Sequence, residues 1–199
     1  MNYINLLLLL SLSLLLQSCQ TEEEEISNLS LHPVSVAEFQ AFVEATNYVT
    51  DAEKYGWSIY QIDVYNFTVR QNANWRKPDS IHVAKANLPV TQVSYNDAQA
   101  YCKWAKVRLP NYEEYWGLTK NDIRTINTDN VSPILPVDSV NIIGNVWEIT
   151  TSEDGNNQIR LAGGSLFCSE NTCYGTQKDR VLHVDKETGN IHIGFAVIK

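Results

Sequence analysis

The sequence predicts a compact α+β single domain with few helices, short strands and much irregular coil. Capping signatures mark helix starts, short aromatic and β-branched stretches have strand character, and Asn-, Asp-, Gly- and Pro-rich clusters join them. No internal repeat or Pro-rich linker divides the 199 residues, enough chain for one domain with a proper core.

The chain opens "MNYINLLLLLSLSLLLQSCQTEEEE". Residues 6 to 16 are apolar apart from Ser11 and Ser13. That is short for a bilayer span and suits the h-region of a secretory signal. Leu16-Gln17-Ser18-Cys19 resembles a bacterial lipobox, in which the cysteine becomes the lipidated first residue. Residues 1 to 18 are therefore expected to be a lipoprotein signal peptide, although they contain no Lys or Arg. The other reading is an uncleaved anchor with an incidental cysteine. Residues 19 to 30 form an acidic tether from Cys19, and residues 31 to 199 form the domain. The Glu22–Glu25 run is a like-charge block of the kind that stays solvated; in some bacterial lipoproteins such a run resembles an export signal to the outer surface. The expected location is the bacterial cell envelope, at the outer membrane, with the membrane met through a lipid on Cys19.

The formal charge is −8, and no basic stripe offsets it. Phosphate binding needs clustered Lys and Arg, so the balance argues against nucleic acid and anionic lipid surfaces as partners. The expected partner is an exported protein or peptide, met by a monomer.

Ser35-Val-Ala-Glu38, Ser94-Tyr-Asn-Asp97 and Asn111-Tyr-Glu-Glu114 each set a capping side chain three residues before an acid. The first predicts a short helix with Phe39, Phe42 and Val43 on one face. The second places Ala98, Tyr101, Cys102 and Ala105 at helical spacing. The third is brief, around Tyr115 and Trp116. "IYQIDVYNFTVR", "LPVTQVSY" and "HIGFAVIK" read as strands, and "NTDNVSP" and "SEDGNNQ" as connections.

With Cys19 assigned to lipid, Cys102, Cys168 and Cys173 remain. Cys102 falls on the inner face of the second helix, where it is a small, inert hydrophobe. In an exported compartment the pair in "GGSLFCSENTCYG" reads from composition as a local disulfide. A metal clamp is the alternative, because two sulfurs on one short loop can converge on a soft ion such as Cu(I).

Several stretches occur in an order that resembles the formylglycine-generating enzyme / sulfatase-modifying factor family: "HPVSVAEFQAFVEATNYVTDAEKYGW", "ANWRKPDS", "LPVTQVSYNDAQAYCKWAKVRLPNYEEYW", "LPVDS", "NIIGNVWEIT", "RLAGGSLFCSENTCY" and "IGFAVIK". The resemblance implies a compact fold with little regular secondary structure, a variant of the C-type-lectin-like architecture. It also implies a copper-dependent oxidase that turns a cysteine of a partner chain into formylglycine. The copper-binding cysteines of the family fall on Cys168 and Cys173, and a serine close to its active centre on Ser165. Gly163 and Gly164 would let backbone approach that centre. A calcium pattern falls on the side chain of Asn141, the main-chain carbonyls of Gly144 and Val146, and the carboxylate of Glu148, a mixture of hard oxygen donors. Trp147 is expected in the core.

The sequence also departs from the family. Gly175 and Val181 stand where its enzymes commonly carry arginines, and His192 where asparagine is usual. The stretch between Leu118 and Leu135 is shorter. Gly194-Phe195-Ala196-Val197 replaces a cysteine-bearing ending, which leaves Cys102 without a partner. The metal core is kept while the substrate surface is rewritten. Two functions fit that pattern: a thiol-oxidising enzyme, and a non-catalytic, calcium-stabilised lipoprotein displaying Trp57, Tyr60, Tyr65 and Trp75 to an envelope component. The four histidines (His32, His82, His183, His192) lack metal-ligand spacing. No Gly-x-Ser-x-Gly elbow or phosphate-binding glycine loop is present.

Overall fold

The computed structural model describes residues 29–63, 66–122, 134–137, 142–153, 155–156, 158–167, 178–179 and 182–199. Leu31–Lys199 is one compact unit. Its elements, in chain order, are β1 (Leu31–Pro33), α1 (Val36–Thr46), α2 (Asp51–Tyr55), β2 (Trp57–Gln61), β3 (Phe67–Gln71), α3 (Tyr95–Ala105), α4 (Tyr112–Leu118), β4 (Trp147–Glu153), β5 (Ile159–Ala162), β6 (Leu182–Val184), β7 (Ile193–Gly194) and β8 (Ala196–Ile198).

All three expected helices form, each for the local reason the sequence carries. Ser35 Oγ accepts the Glu38 N–H at 3.2 Å, while Glu38 Oε2 takes the Ser35 N–H at 2.9 Å. Ser94–Asp97 and Asn111–Glu114 repeat the reciprocal cap on α3 and α4. A further box, Thr50–Glu53, opens α2, which the sequence reading did not anticipate. Helix α1 ends at Asn47 and α3 at Lys106, both in left-handed backbone, and each terminal N–H returns to the last turn.

The first turns of α2 and α3 interlock. Asp97 Oδ1 accepts the Asp51 N–H at 3.1 Å and the Tyr48 hydroxyl at 3.0 Å. In return Asp51 Oδ2 accepts from Ser94 Oγ at 2.7 Å and Asn96 Nδ2 at 3.1 Å. Burial pushes the Asp97 carboxyl up to about 6, and the nearby Asp51 charge adds to that.

The core gathers where α1 crosses α3. Phe39 meets Phe42 and Trp75 edge-on at 5.3 Å between ring centroids, and stacks on Tyr101 at 6.1 Å. Phe195 closes the cluster against Tyr101 at 5.4 Å. Each such ring pair adds about 0.5–1.5 kcal/mol beyond the area it buries. Cys102 sits in this core unpaired, as expected, and burial pushes its thiol up to about 12. Trp75 is also in this core, fully buried, so it is unavailable for display; packing against Phe39 outweighs the exposure expected of it. Trp57 and Tyr60 are half-buried, and Tyr65 lies outside the described residues.

Strand β1 pairs antiparallel with β8, bringing the start and end of the domain together. "IYQIDVYNFTVR" carries strand as expected, and β2 and β3 pair antiparallel. The largest sheet runs β6-β5-β4-β7, with β4 and β7 parallel and the other pairs antiparallel. "LPVTQVSY" is not a strand. Its residues Val90 to Val93 are buried as irregular chain, and Gln92 takes a left-handed conformation with φ 60°. The segment is satisfied by loops in place of a ladder: Val90 N–H donates to Val34 O, and Gln92 N–H to Asn190 O.

Candidate functional site

Strands β4, β5 and β7, with the turns that lead into and out of them, position the described candidate residues. The turn at 142–146 precedes β4 and is tied on several sides. Asp122 Oδ2 accepts the N–H groups of Ile142 at 2.9 Å and Ile143 at 3.2 Å. The Asn145 amide clasps both backbone groups of Leu135, at 2.8 and 3.0 Å. Gly144, in left-handed backbone at φ 91°, donates its N–H to Gly163 O at 2.9 Å. Gly144 and Val146 are thereby fixed on a tight loop that leads directly into Glu148.

Glu148 stands on β4 between Ala162 of β5 and Gly194 of β7, and is buried. Its Oε2 has no hydrogen-bond partner among the described residues. Burial pushes its carboxyl up to about 8. The Tyr115 hydroxyl, on α4, is likewise buried without a partner among the described residues, and the Glu148 charge is among the causes that raise its pKa. A lone buried carboxylate is costly, whereas hard cations take carboxylate oxygens together with backbone carbonyls. The chemistry of the Glu148 side chain therefore suits a hard-oxygen donor to such a cation. Trp147 is core, as expected.

Strand β5 leads into Gly163 and Gly164, both left-handed at φ 87° and 77°. A Cβ on residue 163 would collide with the Tyr115 hydroxyl, so glycine is required here by close approach as well as by dihedral. The turn delivers Ser165, which is fully buried. Ser165 Oγ lies 2.8 Å from His192 Nδ1, and the Phe167 N–H reaches the same oxygen at 3.4 Å. Phe167 also packs edge-on against the His192 ring, 5.2 Å between centroids. Burial drives His192 down to about 3, so the imidazole is neutral. Its backbone oxygen accepts the Trp147 N–H at 2.9 Å, which joins the Ser165 contact to β4.

The structure thus brings Gly144, Val146, Glu148 and Ser165 to one sheet and its turns. Cys19, Asn141, Cys168 and Cys173 lie outside the described residues. Among the described residues no group of three His, Cys, Asp or Glu side chains gathers for a metal. Sequence reasoning missed His192 as the partner of Ser165, Tyr115 as a wall beside Gly163, and the Asp122 and Asn145 clamps. Only His192 carried a signal, a departure from asparagine.

The family model for the sulfatase-modifying factor enzyme 1-like domain matches residues 25–117. The chain is 28% identical over 218 residues to the formylglycine-generating enzyme of Mus musculus, covering 73% of this chain and 58% of that protein. The fold agrees: PvdO from Pseudomonas aeruginosa superposes with a TM-score of 0.54 at 12% identity, over 84% of this chain and 77% of that one. Over these spans the chain is similar in sequence to the sulfatase-modifying factor and formylglycine-generating enzyme proteins. A Bos taurus protein named inactive C-alpha-formylglycine-generating enzyme 2 is similar as well, 29% identical over 178 residues, covering 63% of this chain and 59% of its own length. The chain spans somewhat over half the length of these two curated relatives. The family-model match ends at residue 117, so Glu148, Ser165 and His192 lie beyond it.

Proposed function

We propose that this chain is an envelope-anchored lipoprotein whose formylglycine-generating-enzyme-like domain oxidises a cysteine, or another thiol, of an exported partner. The observation that carries the reading is the buried Ser165–His192 contact, three residues before Cys168 in sequence. Two polar side chains buried in a sheet core bring a desolvation cost that an apolar pair would avoid, so packing does not account for them.

Cys168 and Cys173 would hold the copper, since thiolates are the donors that Cu(I) prefers. When bound, the ion supplies the one-electron chemistry with oxygen that a thiol oxidation requires. The chain's own residues shape the surroundings. Gly163 and Gly164 turn the backbone, Ser165 offers a fixed polar atom, and Phe167 with the neutral His192 keeps that atom away from water. Calcium would be held by Asn141, Gly144, Val146 and Glu148, a structural role supported by the orphaned Glu148 oxygen. The lipid anchor at Cys19 and the envelope location rest on the residue 6–19 pattern.

Cu(I) titration of the reduced full chain tests the reading against a Cys168→Ser, Cys173→Ser double variant. Tight one-to-one binding in the parent alone is expected. Equal behaviour of the two proteins would sink the oxidase and leave the pair as a disulfide staple.

A second reading is a non-catalytic, calcium-stabilised scaffold. It is favoured by the similarity to a relative whose name calls it inactive. It expects a melting temperature that rises with calcium and a double-cysteine variant that keeps fold and phenotype. A folded double variant that has lost the phenotype would rule it out.

A further inference from the structure

We propose that His192 is a positioning residue: its Nδ1 accepts the Ser165 hydroxyl proton, so that Ser165 meets any docking group only as a hydrogen-bond acceptor. The consequence for chemistry rests on Ser165 being a site residue, as read above; the direction of the hydrogen bond does not.

A serine hydroxyl has one proton to donate and two lone pairs to accept with. The Phe167 N–H can only donate, so at 3.4 Å it takes one lone pair of Ser165 Oγ. The 2.8 Å contact to His192 Nδ1 then has two possible directions. If Nδ1 carried the ring proton, Oγ would accept twice and its own proton would need an acceptor inside a fully buried environment. Among the described residues Oγ makes no contact other than these two. A buried donor left unmade costs about 1–3 kcal/mol. If Oγ donates to Nδ1 and the ring proton sits on Nε2, the serine proton, the imidazole lone pair and the Phe167 N–H are all satisfied, and Nε2 is not among the buried side-chain atoms left without a partner. The second arrangement wins. The neutral ring that burial enforces keeps that lone pair available.

An amide side chain could offer Ser165 either its NH₂ or its oxygen by rotating. The imidazole offers no such exchange. It is held by Phe167 against its ring and by the Trp147 N–H on its backbone oxygen. Ser165 therefore keeps one free lone pair and no free proton. A group that meets that lone pair has to bring a proton.

The test is two-bond ¹⁵N–¹H correlation of the full chain labelled with ¹⁵N at its four histidines, with His192→Asn identifying the resonances that belong to residue 192. The expected pattern is an unprotonated Nδ1 and a protonated Nε2, unchanged between about pH 5 and about pH 8, the range in which a free imidazole titrates. Ser165→Ala should move the Nδ1 resonance and leave Nε2 protonated. Should that variant fail to fold, the parent spectrum alone decides, because a proton on Nδ1 overturns the assignment. An Nδ1 resonance indifferent to Ser165→Ala in a folded protein overturns it equally. Neither measurement depends on copper, so an absent copper site and a wrong hydrogen-bond direction are told apart.

Discussion

Gly163→Ala is expected to destabilise the fold by about 2–5 kcal/mol, and Tyr115→Phe is expected to return part of that loss. Residue 163 has φ 87°, where a side chain costs about 1–2 kcal/mol for the left-handed backbone alone. The added Cβ also collides with the Tyr115 hydroxyl, and Tyr115 is fully buried with its ring edge-on to Trp116 at 5.5 Å, so it has little room to retreat. Overpacking of that kind adds about 1–3 kcal/mol. The hydroxyl has no partner among the described residues, so Tyr115→Phe should by itself be neutral or stabilising. In the double variant the oxygen clash is gone, but the ring Cζ would still stand 3.0 Å from the new Cβ, so part of the strain stays. A coupling of about 1–2 kcal/mol is therefore expected from a double-mutant cycle measured by urea unfolding. Additive losses would show that the close approach does not constrain residue 163. A Tyr115→Phe variant destabilised by about 2 kcal/mol or more would show that the hydroxyl is satisfied after all.

Three further outcomes are expected. Asp97→Asn isolates the buried carboxyl between α2 and α3. The folded-state pKa of about 6 is raised above the ordinary 3.8 of an aspartate, so the parent should gain on the variant as pH falls through 6, by up to about 3 kcal/mol near pH 4; a stability difference flat with pH refutes this. Phe39→Ala should cost about 3–5 kcal/mol by chemical denaturation, since Phe39 contacts Phe42, Trp75, Tyr101 and Phe195 at once, and a cost below about 1 kcal/mol would remove it from the centre of the core. Calcium at about a hundred times its dissociation constant should stabilise the parent by about 2.7 kcal/mol in thermal unfolding, and Glu148→Gln should abolish that gain; an equal shift in both would take Glu148 out of the site.

What the sequence made legible is what is local. A capping box is a four-residue negotiation between side chain and backbone, so Ser35–Glu38, Ser94–Asp97 and Asn111–Glu114 could be read without knowing the fold. The same motif at Thr50–Glu53 was passed over because α2 is five residues long and has no room for an apolar stripe. Strand β4 was missed for a different reason. Trp147 to Thr150 are all buried, so the period-two alternation that marks a one-faced strand is erased. "LPVTQVSY" failed in the opposite sense. Its apolar residues signalled burial correctly, but burial is not a ladder, and the backbone groups of Val90 and Gln92 are satisfied by Val34 and Asn190 across long sequence separations.

The site shows the same division. Glu148 and Ser165 were legible as residue types in a familiar order, but what each one faces is set by chain far away in sequence. His192 meets Ser165 across 27 positions, and Asp122 ties the 142–146 turn across 20. The parallel pairing of Trp147 with Ile193 and Glu148 with Gly194 then decides how the pieces relate. Strand β7 is two residues long, and His192, the residue before it, is held through its backbone oxygen by the Trp147 N–H. Glu148 follows Trp147 on β4, the Trp147 N–H holds His192 by its backbone oxygen, and His192 meets Ser165. Glu148 and Ser165 therefore share one structural support.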